Sequence, residues 1–439
     1  MSSARSVAVK LLARMEKGAF SNIVLDNERS FNELSQRDKK FASRLFYGTV
    51  ERKITLDYIL SSYLKKPINK LDIEVLLILR TGLYQLLYMP SVPENAAVNE
   101  SVSLASEFKK SSAKGMINAI LRGFIRNGKK FSLPDDEISA LSVKYSCPVE
   151  LISKWIADYG KENIENILQH SVENDNVITM RINNTQISDD EFITRMTNYG
   201  IECDGFLSIS HCFTTKSFSD IENNPLFKEG CFHIQDISSQ LCAMALGAKS
   251  GETVLDVCSA PGGKAFTIAE IMGDKGKILA FDLHENRVKL IKKGAERLKL
   301  KSIEAKVGDA TVFNEEIPKA DKILCDVVCS GFGVISKKPE IKYKPLSDTE
   351  KLPEIQYKIL ENASRYLKVG GELVYSTCSL SRAENDEVID KFLEIHKGKF
   401  EGIPFLTEFG EPFGSYKATV FPQHFNGDGF FISKIRRIG

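Results

Sequence analysis

The chain has 439 residues, of which 43% are hydrophobic and 27% charged, a composition that excludes disordered and fibrous classes. At this length we expect two to four domains. The net charge of +1 conceals an asymmetry, because residues 1–130 hold 22 Lys and Arg against 12 Asp and Glu (+10), which leaves −9 for the rest. A polyanionic partner and an ordinary solvated surface explain this basic part equally well.

Other features exclude several classes of protein. The first residues lack the uninterrupted apolar core of a signal peptide, and Arg80 and Gln85 interrupt the most apolar stretch. The nine cysteines include no CxxC pair and the six histidines are scattered, so we expect neither a disulfide framework nor a metal site. We therefore expect a cytoplasmic monomer without membrane association.

Residues 1–130 are predicted to be helical throughout, since apolar residues recur at helical spacing between short polar breaks. The pattern indicates a compact helical bundle. Its last helix crowds basic residues around an apolar face, where they can meet phosphates or simply face water. These residues are Lys114, Arg122, Arg126, Lys129 and Lys130.

After the bundle the pattern changes twice. Residues 131–175 read as a helical connector, and residues 176–236 read as a small α+β unit. From 237 onward a helix leads into alternating strands and helices, which predicts a mostly parallel sheet covered by helices on both faces.

A glycine turn follows the first strand of this sheet, in VLDVCSAPGGKAFTIAE. Gly262 and Gly263 allow the backbone to approach a ligand, and the helix that begins there can receive an anionic group. Because the motif is not GxGxxG, nicotinamide and flavin cofactors are not the first expectation.

Acidic residues end the next strands. Asp282 is suited to ribose hydroxyls and Asp309 to an adenine amino group, although each alone is also typical of a solvated strand end. Together with Asp256 and the glycine turn they fit a ligand with adenosine but no pyrophosphate, such as S-adenosylmethionine.

Two cysteines, Cys329 and Cys378, lie where strands end on the predicted ligand side. A thiolate is a strong nucleophile and can attack C6 of a pyrimidine, which makes C5 able to accept a methyl group. Asp326 suits the N3/N4 edge of such a base, and Lys264 adds positive charge there or is merely a residue of the first helical turn. The base must leave any stack to enter the pocket.

The motifs DVCSAPGGKA, DVVCSGFGVISKKPEIKY, YSTCS and DGFF resemble those of the RNA (cytosine-5)-methyltransferase family. RDKKFASRLFYGTVERKITLDYIL, AAVNESV and GMINAILR resemble the NusB-type RNA-binding domain. Together they cover nearly the whole chain, in the order found in bacterial 16S rRNA cytosine-5 methyltransferases.

The resemblance implies four parts: an all-α NusB-like bundle (1–130), a helical linker (131–175), an RRM-like α+β unit (176–236) and an α/β Rossmann-like class I methyltransferase domain (237–439). It also implies S-adenosylmethionine as cofactor, 16S rRNA as partner, Cys378 as the nucleophile and Cys329 as the residue that assists product release. The implied cofactor-binding residues are Cys258, Ser259, Ala260, Pro261, Gly262, Gly263, Lys264, Asp282, Arg287, Asp309 and Asp326.

One position departs from the family pattern. Proline usually precedes the Cys329 position, and here Val328 leaves the turn looser and adds an N–H group. Release by Cys329 is therefore a weaker expectation than attack by Cys378. Two alternatives stay open: a DNA cytosine methyltransferase, which attacks with the other cysteine, and an assembly protein with an idle methyltransferase fold.

Overall fold

A computed structural model describes residues 3–17, 25, 28–172, 177–206, 208–216, 218 and 220–439. The chain forms two compact units. The first comprises Met1–Val172 and Ile335–Lys344, and the second comprises Glu173–Val334 and Pro345–Gly439. Within the described ranges, none of the helices combines the length and apolarity that crossing a bilayer requires.

The first unit is helical, with ten α-helices among its described residues. They are α1 (Ala4–Met15), α2 (Arg29–Asn32), α3 (Gln36–Glu51), α4 (Lys53–Tyr63), α5 (Ile73–Tyr88), α6 (Glu94–Glu107), α7 (Lys114–Arg126), α8 (Glu137–Tyr145), α9 (Val149–Tyr159) and α10 (Ile164–His170).

Helix α5 is the centre of this unit, because its residues 75–86 are all buried. Arg80 lies within that stretch and pairs with Asp57 at 2.7 Å and Glu16 at 3.1 Å, so its charge is neutralised in place. A side chain at Gly48 of α3 would overlap the ring of Tyr84, which shows how closely α3 and α5 approach.

A short segment from the second half of the chain, Ile335–Lys344, completes the helical unit. The Nζ of Lys342 donates to the carbonyl of Glu51, and the hydroxyl of Tyr343 donates to that of Val50, each at 2.8 Å. These carbonyls belong to the last turn of α3, where helical partners run out. Burial lowers the pKa of Lys342 to about 8.

The second unit begins with a four-stranded antiparallel sheet in the order β2-β3-β1-β4. Helices follow its first and third strands, as in a βαββαβ unit. Its elements are β1 (Ile178–Ile182), α11 (Asp189–Asn198), β2 (Asp204–Gly205), β3 (Cys212–Thr215), α12 (Pro225–Lys228) and β4 (Phe232–Ile234).

The larger sheet of this unit has the order β10-β12-β9-β8-β5-β6-β7, with β11 beside β12. Its strands are β5 (Thr253–Asp256), β6 (Lys277–Asp282), β7 (Ile303–Val307), β8 (Ala320–Asp326), β9 (Leu367–Thr377), β10 (Phe400–Gly402), β11 (Lys417–Val420) and β12 (Phe430–Arg437). Its helices are α13 (Ile237–Leu246), α14 (Gly263–Ile271), α15 (Glu285–Arg297), α16 (Leu352–Ser364), α17 (Asp386–Ile395) and α18 (Pro422–Phe425).

Strands β5 to β9 pair in parallel, and β12 runs antiparallel beside β9. Successive residues of β5 enter opposite cores: Val254 packs with side chains of α13 and α14, and Leu255 with side chains of α16 and α17. A parallel sheet covered on both faces therefore needs the unbroken apolar strands seen in the sequence. Strand order reverses between β5 and β8, which is where such sheets bind ligands.

The predicted fold class is confirmed: an all-helical bundle, a small α+β part with an antiparallel sheet, and a mostly parallel sheet covered by helices on both faces. Sequence patterns placed the long helices and the parallel strands within a few residues, whereas the short strands β10 and β11 were not predicted. The three predicted boundaries between the four domains stay predictions, and the one at 175/176 lies outside the described residues.

Candidate active site

Three loops converge at the carboxyl edge of the large sheet. They follow β5, β8 and β9, and β8 pairs in parallel with both of the other strands. Register places Asp326, the last residue of β8, opposite Ser376 of β9, so the loops that carry Cys329 and Cys378 start side by side.

The two cysteines are in direct contact, with 3.2 Å between their Sγ atoms, and both are free thiols. The backbone fixes this approach, since the N–H of Gly333 donates to the carbonyl of Cys378 at 2.9 Å. Gly429 donates in turn to the carbonyl of Gly333 at 2.8 Å, and a side chain at Gly333 would overlap that backbone. The turns that carry the two cysteines therefore pack directly against each other and against the residue that precedes β12.

The contact makes the thiols unequal. A hydrogen bond from Cys329 lowers the pKa of Cys378, and Lys264 also favours the Cys378 thiolate. The same hydrogen bond and burial raise the pKa of Cys329 well above its ordinary value. These opposite pKa shifts make Cys378 the more nucleophilic sulfur and Cys329 the thiol that holds its proton more tightly.

An ion pair lies beside the thiols. The Nζ of Lys264 is 2.7 Å from Oδ2 of Asp326, and the hydroxyl of Ser376 donates to Oδ1 at 2.8 Å. Burial lowers the pKa of Lys264, but Asp326 more than offsets this effect, so the pKa lies above its ordinary value. Lys264 is also 4.9 Å from the ring centroid of Phe430. The ion pair with Lys264 and the hydrogen bond from Ser376 hold the Asp326 carboxylate in a fixed orientation.

The glycine turn connects β5 to α14. Gly262 has φ of +110°, and a side chain there would lie 2.5 Å from the ring of Phe266, so both conformation and space require glycine. Asp256 precedes the turn and is buried, which raises the pKa of its carboxyl to about 7. The turn is formed by Cys258, Ser259, Ala260, Pro261, Gly262 and Gly263.

Arg287 connects this turn to the end of β6. Its Nη2 donates to the carbonyl of Ala260 at 2.8 Å, and its Nη1 is 3.4 Å from a carboxylate oxygen of Asp282. Asp282 is nearly buried and also accepts from the N–H of His284. Arg287 therefore braces the turn against the acid rather than pointing freely into solvent.

Asp309 lies farther along the edge, after β7. It accepts hydrogen bonds from the N–H and the hydroxyl of Thr311, at 2.8 and 2.7 Å, and these bonds lower its pKa. An apolar pocket beside it is lined by Val257, Phe281, Val312 and Ile317 among others. The combination of apolar walls and an acceptor at the rim suits a heterocyclic ring.

The structure thus brings Cys329 into contact with Cys378 and pairs Lys264 with Asp326, and the second pair acts on Cys378 through its charges. Arg287 connects Asp282 to the glycine turn. Asp309 contacts none of these side chains in the described structure, because it follows β7, which is separated from β5 by β6. Across the residues that the structure describes, no group of three or more His, Cys, Asp or Glu side chains is arranged to hold a metal ion.

Sequence reasoning gave no role to Ser376, although it stands two positions before Cys378 and hence on the same strand end. It also overlooked Glu384 and Gln356, whose side chains meet behind the cysteine turns. Motif spacing can point to Ser376, whereas Gln356 comes from a distant helix and only the fold reveals it.

Comparisons with known proteins agree with this geometry. The family described as 16S rRNA methyltransferase RsmB/F matches residues 243–436, and the NusB family matches residues 2–126. The chain is 38% identical to "Probable ribosomal RNA small subunit methyltransferase B" of Bacillus subtilis, with 100% of this chain and 99% of that protein covered. It is 30% identical to ribosomal RNA small subunit methyltransferase B of Proteus mirabilis, over 99% and 98%.

Solved structures are similar as well. "Crystal Structure of PH0851" superposes with a TM-score of 0.83 over 99% of both chains at 23% identity. A methyltransferase homolog protein from Pyrococcus horikoshii gives a TM-score of 0.59 at 28% identity, covering 69% of this chain and 99% of that one.

The thiol pair generates a test that needs no substrate. Cys329→Ala removes the S–H donor that stabilises the Cys378 thiolate, so we expect the pKa of Cys378 to rise and its alkylation by iodoacetamide at neutral pH to slow by about ten-fold. Rates would be measured by peptide mass spectrometry across pH. Cys203→Ala, at a half-buried cysteine elsewhere, is the control, and an equal rate in both variants would contradict the assigned hydrogen bond.

Proposed function

The chain belongs to the 16S rRNA methyltransferase RsmB/F family, and we propose that it transfers a methyl group from S-adenosylmethionine to C5 of a cytosine in small-subunit rRNA. The observation that carries this proposal is the 3.2 Å thiol pair beside the Lys264–Asp326 ion pair. Methylation of a pyrimidine carbon requires a nucleophile at C6 and a polar group at the N3/N4 edge, and these side chains supply both.

Each residue has one task in this scheme. The sulfur of Cys378 attacks C6, while the carboxylate of Asp326, held by Lys264 and Ser376, accepts a hydrogen bond from the N4 amino group and orients the ring. The electron pair that moves to C5 would form the new bond to the methyl group, whose bond to the donor sulfur would break. A water molecule then takes H5 as a proton, the C5–C6 double bond re-forms and the C6–S bond breaks, with its electron pair returning to the sulfur of Cys378.

Cys329 is placed for this last step. Because its thiol keeps a proton and contacts Sγ of Cys378, it can stabilise the departing thiolate by a hydrogen bond. Val328 does not prevent this geometry: it is exposed, and its carbonyl accepts a 2.9 Å hydrogen bond from Gln356. This hydrogen bond restrains the backbone of a turn that lacks the fixed φ of a proline.

The residues along the sheet edge fit S-adenosylmethionine. The glycine turn offers a close backbone approach, Asp282 offers acceptors for ribose hydroxyls, and the pocket beside Asp309 offers apolar walls for adenine. Cys258 to Lys264, Arg287 and Asp326 would complete the site. When bound, this cofactor supplies the electrophilic methyl group.

The helical unit supports an RNA substrate. Helix α7 buries Ile117, Ile120, Leu121 and Phe124 and leaves basic side chains outside. Arg126 and Lys130 are exposed, whereas Lys129 is paired with Glu94 at 2.9 Å. Clustered basic side chains bind phosphates without reading sequence, which places a structured RNA but leaves the choice of cytosine to the catalytic unit.

The first test is the nucleophile. Cys378→Ala should lower methyl transfer to rRNA by about 10³-fold or more, because the sulfur that attacks C6 is removed, while S-adenosylmethionine binding is retained. Bisulfite sequencing of rRNA and calorimetric titration of the cofactor would measure the two effects. Methylation at the normal rate in this variant would overturn the proposed mechanism.

The second test is release. Cys329→Ala should accumulate a covalent protein–RNA adduct that survives denaturing gel electrophoresis, because the Cys378 thiolate loses its stabilising donor when the C6–S bond breaks. The double variant Cys329→Ala/Cys378→Ala is the control and should form none. An adduct that needs Cys329 and persists without Cys378 would instead favour the chemistry of DNA cytosine methyltransferases.

The third test concerns RNA affinity. Replacing Arg122, Arg126 and Lys130 by alanine should weaken RNA binding and reduce the slope of log K against log salt by about 0.7 to 0.9 for each lost phosphate contact. Fluorescence anisotropy at several salt concentrations measures this slope. The exposed Lys289, Lys292 and Lys293 of α15, changed in the same way, give a charge-matched control. Equal slopes in both variants would make the charge on α7 incidental.

A further inference from the structure

A buried carboxylate lies directly behind the thiol pair. Glu384 is 2% exposed, and its Oε2 accepts from the N–H of Ser330 at 2.8 Å. Its Oε1 accepts from the hydroxyl of Ser379, also at 2.8 Å. Ser330 follows Cys329 and Ser379 follows Cys378, so this one carboxylate holds both cysteine-bearing turns one residue from each sulfur.

The two serines also touch each other. Their hydroxyl oxygens are 2.7 Å apart, and since Ser379 gives its proton to Glu384, Ser330 is the donor in this contact. Both residues are buried, so the chain of hydrogen bonds is closed to water. Hydrogen bonds to a charged acceptor in such surroundings are short and directional.

Neighbouring side chains fix Glu384 itself. Gln356 of α16 donates from one amide nitrogen to Oε2 of Glu384 at 3.0 Å and to the carbonyl of Val328 at 2.9 Å. The hydroxyl of Tyr375 donates to the backbone carbonyl of Glu384 at 2.6 Å. Asn385 binds Thr377 and the carbonyl of Ser379, which secures the second turn from the other side.

We propose that Glu384 is a positioning residue for the reaction: it sets the distance and mutual orientation of Cys329 and Cys378 through the two serines. The effect of Glu384 on methyl transfer rests on the proposed function, whereas its effect on the reactivity of the two thiols does not. The negative charge of Glu384 also favours the protonated form of Cys329. It raises the pKa of that thiol, although less than the Cys378 hydrogen bond and burial do.

Two variants separate the role of shape from the role of charge. In Glu384→Gln the amide oxygen can face Ser330 and Gln356 while the amide nitrogen donates to Ser379, whose own proton then turns to Ser330. The charge is lost and the contacts keep their shape. In Glu384→Ala both turns lose their common acceptor. Glu387→Ala, at an exposed glutamate in the first turn of α17, is the matched control.

The experiment has two readouts on the full-length protein. Limiting iodoacetamide followed by peptide mass spectrometry measures how alkylation divides between Cys378 and Cys329, and requires no RNA. We expect the wild type and Glu387→Ala to react mainly at Cys378. Glu384→Ala should lose this preference and lose roughly 100-fold in kcat, the effect of misplacing reacting groups by about 1 Å, with KM for RNA little changed.

Each outcome decides the proposal. If folded Glu384→Ala keeps both the preference and the kcat of Glu387→Ala, or loses the preference with kcat unchanged, the proposal is overturned. If Glu384→Ala does not fold, Glu384→Asp decides, because it keeps the charge but withdraws the carboxylate by one methylene from Ser330 and Ser379. Loss of the alkylation preference then supports the proposal, and an unchanged preference rejects it. Methylation by Cys378→Ala would reject the proposed function alone, since the alkylation readout stands without it.

Discussion

The parallel pairing of β8 with both β5 and β9 is the constraint on which the site depends. Because parallel strands end at the same edge, this pairing brings together three loops that are far apart in sequence. The hydrogen bonds between β8 and β9 then align Asp326 with Ser376. The loops that carry Cys329 and Cys378 therefore begin from neighbouring positions. A slip of one residue in β9 would turn Ser376 toward the opposite face and separate the two cysteines.

Charge at this edge is handled by pairing and by protonation. Lys264 and Asp326 neutralise each other at 2.7 Å, whereas buried Asp256 has a pKa of about 7, so part of its population is neutral near physiological pH. Hydroxyl and amide donors surround Glu384 in place of a cation. The sulfur of Cys378 has a weaker partner, another thiol, which leaves it available for reaction.

Much of this was predictable from the sequence, for identifiable reasons. Apolar strands bounded by Gly and Asp gave the parallel sheet, and the motif around Gly262 and Gly263 gave the cofactor turn. The polar network behind the cysteines was not predictable, because Gln356 reaches it from a helix 27 residues after Cys329 and only packing determines its direction. The strands β10 and β11 were missed because segments of three and four residues carry too little periodicity.

The helical unit is not continuous in sequence, because the segment Ile335–Lys344 belongs to it. This segment begins six residues after Cys329, yet it supplies Lys342 and Tyr343 to the last turn of α3. Any gene fragment that stops at Val172 would encode an unfinished bundle, with two helix-end carbonyls deprived of their donors. Recombination of this architecture must therefore exchange the bundle together with a piece of the catalytic half, and a cut at one point cannot separate the two.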